Sequence, residues 1–114
     1  MKTNKEKREI YKSMKFRAGI FGIVNKKSNR VFLKIARDLD RAFNSDHFQL
    51  KMGSHINRPL QNDWNALGEE NFEFRIIDEL ETKGTETSAE IKKELTELLG
   101  LHLAELKRKG QPVY

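Results

Sequence analysis

A chain of 114 residues, 37% hydrophobic and 34% charged, can build one small core and is too short for two domains. Its formal net charge of +5 permits polyanionic partners, and the absence of cysteine excludes disulfides, thiolate zinc sites and a cysteine nucleophile. No apolar run approaches the roughly 18 residues of a membrane helix. The charged N-terminus lacks the apolar stretch of a signal peptide, so a soluble cytoplasmic protein is expected.

Residues 3–15 read as a basic N-terminal helix. Thr3 or Asn4 can cap it, and Ile10, Tyr11 and Met14 share one stripe. Residues 19–25 and 31–35 read as strands, rich in β-branched and aromatic side chains. The polar turn between them makes an antiparallel hairpin. Apolar residues at helical spacing predict a helix over 37–51, from Leu39, Phe43, Leu50 and either Ala36 or His47, with Gly53 as its stop. Pro59 suits the first turn of a helix over 59–67, with Leu60, Trp64 and Leu67 on its buried side and Gly68 at its end. Residues 71–80 read as a third strand, in which Phe72, Phe74 and Ile76 face one way. Thr87 or Ser88 then caps a helix over 89–107. Its stripe is Ile91, Leu95, Leu98, Leu99, His102, Leu103 and Leu106. This order predicts an α+β fold: a basic helix over 1–15, then one domain over 16–114 with a three-stranded sheet flanked by helices. The third strand's place in the sheet is left open.

The chemistry is less plain. There is no phosphate-binding Gly-Lys-Ser/Thr loop, no dinucleotide glycine motif and no zinc-protease histidine pair. His102, inside a leucine stripe, reads as a hydrogen-bonded core histidine. Asp46, His47, His55 and Arg41 lie around one loop. Such a set can handle a phosphodiester, with an imidazole as acid or base and a guanidinium on the phosphate; it can equally be surface polarity. Lys26, Lys27, Arg30, Lys34 and Arg37 concentrate on the hairpin and its exit, with Asn57 and Gln61 as further polar candidates for nucleic-acid contact. A basic row of this kind tracks a phosphate backbone or protects a sheet edge.

The same residues carry a family resemblance. Gly19-Ile20-Phe21, followed by Val24-Asn25-Lys26, stands where GIY-YIG endonucleases have their Gly-Ile-Tyr strand, and Val31-Phe32-Leu33-Lys34 where they have Tyr-Ile-Gly. Gly53-Ser54-His55, Leu60-Gln61, Trp64-Asn65, Gly68 and Asn71-Phe72 resemble the downstream pattern, and Val113-Tyr114 resembles its closing Tyr-Asn. The resemblance spans 16–114. It implies a three-stranded antiparallel sheet flanked by helices and cleavage of DNA phosphodiesters with a divalent metal, Mg or Mn. It also implies a tyrosine that activates water, a second tyrosine and an arginine at the phosphate, and a metal-binding glutamate on the last long helix.

Carried over, both tyrosine positions are phenylalanines, Phe21 and Phe32, and the second glycine is Lys34. The arginine position falls on Ala42 beside Arg41, and a histidine position on Asp46 beside His47. His55 matches. The metal position falls near Leu99, with Glu94 and Glu97 close by and Glu97 the candidate ligand. A phenyl ring has no proton to give or take. Two readings therefore stand: a nucleic-acid-binding module, with DNA the expected partner and the active site degenerate, or a divergent metal-dependent nuclease. A protein-interaction role is the third.

Overall fold

The computed structural model describes residues 17–114, and the basic helix expected over 3–15 lies outside them. Strand β1 (Ala18–Asn25) is buried at every position, so it needs a neighbour on each edge and a cover on each face. It has all four. Strand β2 (Val31–Ala36) pairs with it antiparallel on one side and β3 (Phe72–Leu80) antiparallel on the other, giving the order β2-β1-β3.

The helices start and stop where local chemistry directs. Helix α1 (Leu39–Met52) begins two residues later than the periodicity suggests. Asp38 is its N-cap, with a side chain that accepts from the Arg41 N–H, and Gly53 closes it at φ 75°. Helix α2 (Arg58–Leu67) is capped by Asn57 and carries Pro59 in its first turn. A single 3-10 turn (Glu69–Asn71) leads into β3. Helix α3 (Ser88–Arg108) is capped by Thr87. No described helix is long and apolar enough to cross a membrane.

The core has two layers. Phe21, Ile23 and Ala36 meet Leu39 and Leu50 of α1 and Leu60 and Trp64 of α2 on one sheet face. Helix α3 covers the other. Its Leu95 is fully buried, and His102 bonds Asp78 at 2.9 Å, half-buried as the leucine stripe suggested. The stripe on α3 is narrower than its periodicity promised, since Leu103 is 39% exposed. Strand β3 departs from simple alternation as well. A bulge shifts its register between Ile20 and Phe21, which pair with Asp78 and Ile76, and Ile76 is 40% exposed.

The two glycines of β1 differ in what they permit. A Cβ on Gly19 would sit 2.2 Å from the Asp78 carbonyl oxygen, whereas one on Gly22 would meet only the side chains of Ile77 and Leu33, at 3.1–3.2 Å. Gly19→Ala must push β3 backbone away and is expected to cost about 1–3 kcal/mol in urea unfolding. Gly22→Ala is expected to cost less, because side chains yield more readily than a strand. Equal losses would count against this account.

Candidate functional site

The face under α1 carries Phe21, Ile23, Phe32 and Lys34 by strand alternation. Phe21 is fully buried, its ring edge-on to Phe43 at 5.1 Å. Phe32 is half-buried and edge-on to His55 at 5.4 Å. Lys34, a cation in an otherwise apolar strand, reaches across to α1, where its Nζ donates to Asp46 Oδ1 at 3.1 Å.

Asp46 lies on the inward stripe of α1. Positions 39, 43, 46 and 50 repeat at steps of four, three and four, so its side chain points at the sheet along with three apolar ones. The carboxylate is wholly buried, and its Oδ2 accepts from His55 Nε2 at 3.4 Å. His55 is as deeply buried. Its Nδ1 accepts from the Asn57 N–H at 3.0 Å, which fixes the ring proton on Nε2, facing Asp46. Both ring nitrogens are therefore engaged. Removing a carboxylate from water costs several kcal/mol, and here a lysine ammonium and an imidazole N–H offset it.

The neighbouring histidine goes elsewhere. One residue along a helix is a rotation of about 100°, and His47 leans over β3 while Asp46 leans over β2, with β1 between. His47 Nε2 lies 2.8 Å from Glu69 Oε1, and its ring packs against Trp64 and Phe74. It lines a cavity of about 350 Å³ with Phe43, Trp64, Phe72 and Phe74. Arg41 is exposed, with no ion pair among the described residues. The expected set of Arg41, Asp46, His47 and His55 is thus split, and only Asp46 and His55 meet.

Of the candidates for nucleic-acid contact, Lys26, Lys27 and Arg37 are exposed. Lys34 is engaged by Asp46, although 42% of its side chain remains exposed. Arg30 folds back, its guanidinium carbon 4.2 Å from the Tyr114 ring centre and its Nη1 3.9 Å from Asp63 Oδ2. Asn57 holds the start of α2 through a bond from the Leu60 N–H. Gln61 lies inside, not on the surface expected of it. Only 2% exposed, it accepts from the His55 N–H and donates to the Leu50 carbonyl and to Asn65 Oδ1, so it pins the loop that delivers His55.

No protein-family model matches the sequence, and no curated protein matches it significantly. Solved structures do match the fold. The catalytic domain of the intron endonuclease I-TevI, in a glutamate-to-alanine mutant, aligns at 25% identity and TM-score 0.67, over 85% of this chain and 91% of that one. The catalytic domain of the homing endonuclease I-TevI aligns at 27% identity and TM-score 0.59, over 83% and 94%. This chain has the GIY-YIG fold.

Among the described residues no three His, Asp or Glu side chains gather in a way that could hold an ion. Glu97 is exposed on α3, the helix on the opposite sheet face from Asp46 and His55. Both oxygens of Asp46 are engaged, Oδ1 by the Lys34 ammonium and Oδ2 by the His55 N–H, so a magnesium ion there would compete with both.

The last residues of the domain add a feature that sequence reading missed. Val113 bridges Val31 in parallel, with the Val31 N–H donating to the Pro112 carbonyl at 3.1 Å and the Tyr114 N–H to the Val31 carbonyl at 3.0 Å. Tyr114 Oη donates to Asp63 Oδ2 at 2.6 Å and accepts from Asn25 Nδ2 at 2.9 Å. Asn25, fully buried, also caps the hairpin turn through the Lys27 and Ser28 N–H groups.

Two measurements test this arrangement. Lys34→Met leaves a buried carboxylate half-satisfied and is expected to cost about 1–3 kcal/mol in urea unfolding. In an Asp46→Asn background the same change is expected to cost much less, and additive losses would show that the pair is not coupled. Burial, then the bond to Asp63, raises the Tyr114 phenol above its ordinary value. A raised acid contributes stability that is complete below the ordinary tyrosine pKa and is lost as pH rises through the folded-state value. With Tyr11→Phe leaving Tyr114 as the sole tyrosine, phenolate absorbance is expected to develop at higher pH than in a free tyrosine peptide. Asp63→Asn brings it part of the way back, and a titration at or below the peptide's contradicts the buried phenol.

Proposed function

We propose that this chain is a cytoplasmic, GIY-YIG-fold module that binds DNA through its basic hairpin and does not cut it. The observation that carries the reading is the Lys34–Asp46–His55 set. The one motif histidine that matches has both ring nitrogens bonded, and the carboxylate beside it is neutralised by a lysine where the motif has a glycine. No side chain there is placed to accept a proton from water. The two motif phenols are phenyl rings, one of them sealed in the core. Each lost acid–base group commonly costs 10²–10⁴-fold.

Binding is supported by the exposed cations. Lys26 and Lys27 crown the hairpin turn and Arg37 follows β2; none of the three forms an ion pair among the described residues. Groups so placed neutralise phosphates and release counterions. Both solved neighbours are endonuclease catalytic domains, which makes DNA the natural polyanion.

The test is in two steps. Supercoiled plasmid with Mg²⁺ or Mn²⁺ is expected to remain intact, and Phe21→Tyr with Phe32→Tyr is not expected to restore nicking. Nicking by the purified chain that disappears with His55→Ala would establish the divergent nuclease instead. In a gel shift, duplex binding is expected to weaken as salt rises, with a shallower salt slope for Lys26→Ala/Lys27→Ala. A slope untouched by the double variant removes the hairpin from the interface.

A further inference from the structure

Large apolar side chains on a monomer surface are informative when they gather. Phe48 is 63% exposed, Met52 65% and Ile56 84%, a set spaced every four residues. Phe48 and Met52 stand one turn apart on α1 and so share a face. Ile56 follows the Gly53 cap, in a loop turned back on the helix by the Ser54 N–H and hydroxyl, both donating to the Gln49 carbonyl. The loop is not slack. His55, next to Ile56, is anchored by Gln61 on its backbone and by Asp46 and Asn57 on its ring. The rigid interior thus holds an isoleucine out in water.

The segment that carries this patch has charge of one sign. From His47 to Arg58 there is no acidic residue, and Lys51 and Arg58 are exposed. Neither makes an ion pair among the described residues. A hydrophobic protein partner would be served by apolar side chains alone, whereas a rim of unpaired cations fits a polyanion. Apolar side chains within a basic rim match a device that unstacks base pairs, in which a wedge enters between base steps while cations hold the flanking phosphates.

We infer that Phe48, Met52 and Ile56 form an apolar wedge that inserts into duplex DNA, with Lys51 and Arg58 on the adjoining phosphates. This deepens the DNA-binding reading and rests on it. Ile56 adjoins His55, whose ring is tied to the buried Asp46 carboxylate, so the wedge has a fixed base.

The full chain is titrated into short duplexes carrying 2-aminopurine at successive positions. Binding is expected to raise the fluorescence at one or two adjacent positions, reporting an unstacked step. Ile56→Ser and Phe48→Ser, at positions too exposed to disturb packing, are expected to abolish that rise and weaken binding roughly tenfold. Their salt slope should be unchanged, because they remove no phosphate contact. Lys51→Ala/Arg58→Ala is expected to do the converse, lowering the slope and leaving the rise at saturation. If the unsubstituted chain binds with no fluorescence change, or the serine variants bind as well as it does, the wedge is overturned while the DNA-binding reading stands. If the chain binds no duplex, both fall. Phe48-dependent capture on phosphatidylserine vesicles would then assign the patch to a lipid surface.

Discussion

The carboxylate of Asp46, enclosed between α1 and the sheet, has to be met from both sides before the helix can dock. Lys34 meets it from β2 and His55 from the loop after α1. Each partner is itself constrained. Lys34 is placed by the pairing of β2 with β1, and His55 by Gln61 and by the N–H of Asn57, the residue that caps α2. One buried charge therefore ties together a strand, a helix, a loop and the start of a second helix. An apolar side chain at position 46 could pack in several ways, whereas a carboxylate with two specific donors accepts few.

The helices and strands were legible because local signals agreed with one another. Thr87 stood as a cap, Pro59 in a first turn and glycines at 53 and 68, and periodicity changed between them; the caps Asp38 and Asn57 went unread, and periodicity alone starts α1 two residues early. The family resemblance on Gly19–Phe21 and His55 gave the sheet. What escaped was non-local. Lys34 in an apolar strand and Asp46 on an apolar stripe each look like an exception; they are one feature, since each is the other's partner across 12 residues. That double exception was the available signal. Gln61 offered none, because an amide in a helix gives no hint that three loop and helix groups depend on it. The bulge opposite Phe21 and the bridge at Val113 depend on pairing partners far along the chain, which periodicity does not register.

The two faces of α1 divide the labour. Its inward side is committed to the core and to the Lys34–Asp46–His55 set. His47 and Phe43 serve the aromatic cavity on the β3 side, while Phe48 and Met52 remain in solvent. A fold shared with endonuclease catalytic domains thus has its interior polar groups bound to one another, and its available chemistry on the surface: cations at the hairpin, cations and apolar groups around the end of α1.

The bridge between Val31 and Val113 has a kinetic side. It joins positions near opposite ends of the domain, and through Tyr114 it braces the buried Asn25 that shapes the hairpin turn. Contacts of such long sequence separation form after local ones, since they must close the largest loop. The hairpin can pair early, but its turn is secured only once residues 111–114 are available to it. A chain still being synthesised would hold the hairpin turn without this brace until residues 111–114 had emerged.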